Sequence, residues 1–389
     1  MLEKAIWRDF VAVTFSVALL GIGLGSTLPL TALVLTGRGY GPDTVGWMAA
    51  ATALGGVLGT FASPWATRRL GRRNVMLCCL LLASLSVMPL QFVSALPVWF
   101  VLRFAFGLAI APLFVLGESW INTLAGDAVR GRVVAMYTTA FTACQVLGPL
   151  LTDWLSGFAG SAFLICGAIF LVGAPGVMLA RTGEEVEKHQ LSSPAAAENA
   201  AKTDGVSWLG IVRTAPVIIA GTAFFAAFDN IVLSFLPLFA LDAGFSQSRA
   251  LAAASIVLAG DATLQFGAGW LADHYGRARI HRLCGISACV MLPLLPLMVH
   301  VPIAWEIYLF VLGGVAGAIY TLSMVASGEI FSGASLLRAA GLIGLTWNLS
   351  SSTAPAATGV AMQQFGSGAM VAVLWALGLV FLAVAWRDG

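Results

Sequence analysis

The sequence predicts an all-α membrane protein, with twelve transmembrane helices in two pseudo-symmetric six-helix bundles. Three observations carry that prediction. The chain of 389 residues is 59% hydrophobic and only 10% charged, where soluble domains carry about a quarter charged residues, and its mean hydropathy is +0.92. Apolar runs recur along the whole chain, each close to the roughly 20 residues that cross a bilayer. Several short motifs reappear, in the same order, 205 to 208 residues further on.

The N-terminal MLEKAIWRDF leads into a run over 10–36, which is too long for a signal peptide and reads as a retained first span. Further spans follow at 43–67, 74–95, 97–123, 132–157 and 160–180, and then at 208–241, 248–273, 282–300, 302–331, 336–362 and 367–386. Between the sets lies Arg181–Ser207, polar and Ala/Ser-rich, which reads as a linker. The predicted organisation is therefore a bundle over 1–180, a cytoplasmic linker over 181–207 and a bundle over 208–389. With a cytoplasmic N-terminus, every Lys and Arg except Arg38, Arg249 and Arg103 falls in the cytoplasm. That bias is the positive-inside rule, and it puts both termini on the cytoplasmic side.

Other classes are argued against by what the charges and reactive groups do. A net charge of +2 leaves no footprint for nucleic acid. The six cysteines lie in apolar runs, without a CxxC pair or metal-ligand spacing, and read as packing residues. No metal or cofactor is expected. The histidines, His189, His274, His281 and His300, read as dispersed over linker and loops, and no hydrolase or metalloprotease motif is present, so an enzyme is not expected.

The repeat is specific at three places. STLPLTAL (Ser26–Leu33) recurs as SFLPLFAL (Ser234–Leu241). Gly71-Arg72 recurs as Gly276-Arg277, and Arg132 with Pro149 recurs as Arg338 with Pro355. A parallel repeat of two six-span halves accounts for all of them. The stretch GWLADHYGRAR between spans 8 and 9 concentrates charge in a tight turn. Gly276 permits the turn, and the arginines hold it in the cytoplasm.

On these residues the chain resembles the major facilitator superfamily over nearly its whole length. That family carries G-x-L-A-D-R-x-G-R-[RK] between spans 2 and 3 of each half. The second half has Gly269, Leu271, Ala272, Asp273, Gly276 and Arg277, with His274 where Arg is usual and Arg279 one place late. The first half keeps Arg69, Gly71, Arg72 and Arg73, but has Arg68 at the acidic position and Pro64 at the first Gly. RFAFG (Arg103–Gly107) is similar to the family's Arg-x-x-x-Gly. Gly148-Pro149 is similar to the Gly-Pro of its proton-driven exporters, although Leu and Thr stand where that motif has glycines.

The resemblance implies a monomeric secondary transporter in the lipid of the cytoplasmic membrane. It would work by alternating access around a midplane site between its halves, coupled to protons. Export of a small organic solute is preferred to symport of a sugar or metabolite, and a non-transporting sensor of the same fold is the remaining reading. It also implies a cytoplasmic gate. Asp273 would face the positive N-terminus of span 5 and Arg130 and Arg132, an attraction of about 0.3–1 kcal/mol. Glu118 is read as part of that network rather than as a solute contact.

A carboxylate at the bilayer centre costs about 2.5–3.5 kcal/mol on insertion scales. Asp229, in FFAAFDNIVL, and Asp261, in VLAGDATLQFG, lie near the middles of spans 7 and 8. They read either as proton sites that load and unload as access alternates, or as members of a structural pair with Arg103. Arg103 itself reads as partner to a solute or acid, or as an interhelical lock. Phe225 precedes Asp229 by one turn, giving an aromatic wall with an acid that suits a flat or cationic solute; the plainer alternative is core packing. Asn230, Tyr137, Gln145, Tyr320, and Trp347, Asn348 and Ser351 of TWNLSSSTAP are polar enough to require protein or a wet cavity beside them. Gly55 and Gly59, like Gly313 and Gly317, mark close helix approach.

Overall fold

The computed structural model describes residues 2–124, 130–158, 160–180, 208–301, 304–331 and 333–387. Those in the first half form α1 (Leu2–Gly37), α2 (Pro42–Leu70), α3 (Arg72–Val87, extended by a 3-10 turn to Gln91), α4 (Leu96–Leu124), α5 (Arg130–Ser156), α6 (Ala162–Val172) and α7 (Ala174–Leu179). The second half forms α8 (Trp208–Thr214), α9 (Pro216–Asp242), α10 (Gln247–Tyr275), α11 (Arg277–Met298), α12 (Ala304–Ile330), α13 (Gly333–Phe365) and α14 (Ala369–Arg387). No strand occurs among the described residues.

Among the described residues, ten helical stretches are both long and apolar enough to cross a bilayer. Helices α5 and α13, of 27 and 33 residues, have the length to span but are not among those ten, and some of their side chains lie outside the described residues. They are repeat mates, carrying Pro149 and Pro355, and both owe their polarity to runs of Thr, Ser and amide residues. Large apolar side chains elsewhere face outward. Phe61 and Trp65 are each 62% exposed and Val101 66%, a surface that only lipid solvates.

Two proline positions correct the predicted spans. The run over 160–180 keeps one stretch long and apolar enough to cross, Ala162–Leu179, but it is divided into two helices. Pro175 has no N–H with which to continue the ladder, the chain breaks at Gly173, and the Ser16 hydroxyl donates to the Gly173 carbonyl at 2.7 Å. The run over 208–241 divides at Ala215, whose φ of −144° and ψ of 63° lie outside the helical region that a following proline disfavours, so that Pro216 opens α9. The histidine reading also needs correction. His281 lies inside α11, buried, with Nε2 3.0 Å from the Ile319 carbonyl and 3.3 Å from the Ser323 hydroxyl. His274 occupies the last turn of α10 against Trp270. His189 lies outside the described residues.

The repeat is visible in the backbone. After α1, Tyr40 N–H donates to the Leu35 carbonyl at 3.0 Å and Gly39 N–H to Thr36 at 2.9 Å. After α9, Phe245 donates to Ala240 at 3.0 Å and Gly244 to Leu241 at 2.9 Å. Both are Schellman caps that require positive φ, here 85° at Gly39 and 90° at Gly244.

The described residues within 1–30 and 51–197 form one compact unit, and those within 31–50 and 198–389 form a second. In the first, α1 is the most enclosed span, with 61% of its apolar window buried. In the second it is α9, at 83%, while α11 and α14, at 33% and 39%, form an outer wall. Helices α2 and α4 meet backbone to backbone through Gly55 and Gly107, as α10 and α12 do through Gly260 and Gly313.

Candidate functional site

The second unit gathers most of the predicted residues. Because α9 carries Phe225 at the helix register facing α12 and α13, its ring stacks on Tyr320 with centroids 5.1 Å apart and planes 15° off parallel. Trp347 of α13 closes the cluster, 5.8 Å from Phe225 and 5.2 Å from Tyr320. One turn further along α9 the surface turns polar. Asn230 donates to the Ser351 hydroxyl at 3.0 Å, and Ser350 donates to the Ala223 carbonyl at 2.6 Å, so polar bonds as well as rings tie α13 to α9. Asn348 instead bonds its own helix at the Gly344 carbonyl, 2.9 Å away.

Asp229 and Asp261 are both half-buried, and Asp229 lies within electrostatic reach of Asp261. Asp261 abuts Gly317 of α12, where any Cβ would overlap its carboxylate, so glycine is what admits the acid to this seam. One turn on, Thr321 donates to the Gln265 amide oxygen at 2.9 Å. The result is an acid pair on α9 and α10 beside an aromatic and amide wall on α9, α12 and α13. Gly317 had been read only as a packing residue. The arrangement offers proton-binding oxygens next to π-faces, which attract cations.

Arg103 belongs to the first unit. It is 1% exposed, its guanidinium carbon is 5.2 Å from the Phe106 ring centroid, and its Nε and Nη1 make no hydrogen bond among the described residues. Tyr137 and Gln145, both buried, pack α5 into the same unit. Gln145 meets α1 at Gly25, while the Tyr137 hydroxyl sits beside Gly117 and within electrostatic reach of Glu118.

The two charged loops have the same backbone. Gly71, with φ 80°, and Gly276, with φ 90°, each end one helix and begin the next. In the second unit Arg277 approaches Asp273 at 4.0 Å and forms a close ion pair with Glu329 at the end of α12. Sequence reasoning missed the role of Glu329. The signal was a Gly-Glu dipeptide, 117–118 and 328–329, near the same end of α4 and of α12. In the first unit Arg72 is buried with its guanidinium 5.7 Å from the Trp120 ring, Arg69 lies 5.5 Å from the Trp65 ring, and Arg73 donates to the Met178 carbonyl at 2.8 Å. Arg130 opens α5, but its side chain and that of Arg132 lie outside the described residues, as does the contact expected between them and Asp273.

The chain as a whole is similar to known proteins. The family model of the Major Facilitator Superfamily matches residues 13–260. The chain is 22% identical to an uncharacterized MFS-type transporter, YfkF of Bacillus subtilis (strain 168), over 92% of this chain and 90% of that protein. Over a shorter stretch, 31% of this chain and 28% of the relative, it is 34% identical to the multidrug efflux pump Tap of Mycobacterium tuberculosis. Among solved structures it resembles a D-xylose–proton symporter (TM-score 0.74, 18% identity, 98% of both chains covered). It also resembles the nucleoside transporter NupG (TM-score 0.75, 12% identity, 98% of both covered). At those identities the structures speak for the fold alone, and the sequence match carries the family: this chain is a multi-pass membrane transporter belonging to the Major Facilitator Superfamily.

Proposed function

We propose that this transporter exports small, flat or cationic organic solutes in exchange for protons, working by alternating access. The observation that carries the proposal is the juxtaposition of Asp229 and Asp261 with the Phe225–Tyr320–Trp347 cluster. Two carboxylates this close share protons more readily than two isolated ones, because the second negative charge is opposed by the first. A cationic solute arriving at the rings relieves that repulsion and displaces a proton; a returning proton displaces the solute. Asn230, Ser351 and Gln265 supply the remaining hydrogen-bonding groups. The short similarity to Tap, itself a multidrug efflux pump, agrees with export.

The same reading takes α5 and α13 as spans, twelve in all, arranged as bundles over 1–180 and 208–389 with a linker over 181–207. Both termini are cytoplasmic, the protein is monomeric, and Arg103 serves proton coupling from the first bundle. Asp273, Arg277 and Glu329, with Arg69, Arg72, Arg73, Glu118, Arg130 and Arg132, form the gate.

The test is transport by the full chain in proteoliposomes carrying an imposed pH gradient, with a panel of fluorescent cationic and neutral aromatic dyes. The expected result is gradient-driven dye movement that Asp229→Asn and Asp261→Asn each reduce at least tenfold, with gradient-independent dye exchange retained. Gradient-driven movement that survives both substitutions overturns the proton role. Movement of neutral sugars or metabolites, but of no dye, overturns the solute class.

A further inference from the structure

The outer wall of the second unit carries a feature that transport does not use. At the arginine-rich end of α11, the Arg282 guanidinium carbon lies 5.8 Å from the centroid of the Trp386 ring, in the last turn of α14. Trp386 is 60% exposed; Arg387 follows it in α14, Arg279 lies one turn before Arg282 in α11, and both arginines are exposed. Arg277, their neighbour, is engaged by Glu329 and Asp273. Arg279, Arg282 and Arg387 make no ion pair among the described residues.

Directly along the same two helices the surface becomes hydrocarbon. Leu283 and Val290 of α11 and Val380 of α14 are 55%, 56% and 59% exposed. The Trp375 indole donates to the Cys289 carbonyl at 2.9 Å, fastening the seam further along. Leu283 directly follows Arg282, so the apolar wall begins within one turn of the cations, and Val290 lies about 12 Å further along the helix than Arg282. The described residues of the first unit do not repeat it. Leu77 occupies the place of Arg282, counted from the paired glycines Gly71 and Gly276, and the Trp65–Arg69 pair lies on a single helix.

We infer that the α11–α14 seam is a binding site for an anionic phospholipid. Three guanidinium groups without an ion pair among the described residues match phosphodiester oxygens, which arginine binds through paired N–H donors. Of the three, Arg282 donates only through Nε, to the Ala278 carbonyl at 3.3 Å. An amphipathic indole at the same level suits the headgroup region, and the bare wall below it accepts acyl chains. Free phosphate would leave that wall uncovered, and an acidic soluble peptide would meet it with polar groups. The site depends on the protein being embedded in lipid and is independent of the solute carried.

The test is native mass spectrometry of the delipidated full chain in detergent, titrated separately with phosphatidylglycerol, cardiolipin and phosphatidylcholine. The expected result is a first anionic lipid bound well before any phosphatidylcholine. A surface arginine contributes roughly fivefold to anionic-membrane affinity, so the triple variant Arg279→Gln, Arg282→Gln and Arg387→Gln should weaken that first binding at least tenfold. The outer-end control Arg249→Gln should leave it unchanged. A second readout keeps the result independent of expression: anionic lipid should raise the unfolding temperature of the parent and not of the triple variant. Equal binding of phosphatidylcholine, or a loss of less than tenfold in the triple variant, overturns the assignment.

Discussion

At Gly71 and at Gly276 a single left-handed residue joins two helices, and the hydrogen bonds around it repeat: Gly71 to Thr67 at 2.9 Å, Gly276 to Ala272 at 3.0 Å. What surrounds the two turns differs. Arg277 has Asp273 one helical turn before it and Glu329 across from it. Arg72 has Arg68 one turn before it, and Arg68 reaches back to the Pro64 carbonyl at 3.3 Å. Across one glycine the residues four apart are oppositely charged and 4.0 Å from each other, and across the other both are arginines; for an exposed pair such as the first the difference is at most about 1 kcal/mol. Backbone geometry was thus retained in both halves while the side-chain electrostatics diverged. A turn made by positive φ depends on glycine alone, whereas charge partners can be replaced by rings and carbonyls.

The largest effects should fall on the shared architecture. Leucine at Gly313 or at Gly107 would push backbone off backbone in the α10–α12 and α2–α4 seams. Each should cost about 3 kcal/mol or more, read as lost monodisperse yield and a lowered unfolding temperature. If one half tolerates the change, the two seams are not equivalent. Next come Gly71→Ala and Gly276→Ala, each expected to destabilise by about 1–2 kcal/mol because a Cβ is strained at positive φ. Thermal unfolding should show similar losses, and a clear inequality would mean that the side chains around one loop compensate.

Smaller effects separate the halves. Glu329→Gln should slow transport up to about fivefold, since an exposed ion pair is worth at most about 1 kcal/mol, with Asp273→Asn milder because its pair is longer. Raising ionic strength should shrink both effects; a salt-insensitive loss would point to a structural defect instead. Smallest of all, Arg68→Asp would give the first loop an acid four residues before its arginine, as in the second loop, and should add at most about 0.5 kcal/mol of stability. No gain, measured in low-salt thermal unfolding, would show that Arg68 is already satisfied by the Pro64 carbonyl.

Much of the candidate site was readable before any coordinates. A carboxylate in a span is costly enough to announce itself, which is how Asp229 and Asp261 were found, and polar residues in lipid must have company, which pointed to Trp347 and Ser351. Pairings were not readable. Nothing in the spacing of Tyr320 and Phe225 requires their rings to stack, and Glu329 gave only a recurring dipeptide as a hint. Asn348, as polar as Asn230, bonds its own helix. His281 was misplaced because a histidine near charged residues looks like a loop, and only the packing of α11 against α12 and Phe381 shows it enclosed.

Composition, the period of the apolar runs and the order of repeated motifs determined by themselves that the chain is helical, lipid-solvated and twofold. Each of those properties follows from free energies that add up along the chain: hydrocarbon transfer per residue, a glycine per turn, a cation per loop. Only the tertiary structure decided which acid stands beside which ring, that Gly317 makes room for Asp261, and that α11 and α14 hold three arginines at one edge. Those outcomes depend on helix rotation and on contacts between residues tens of positions apart, and no local energy term encodes them.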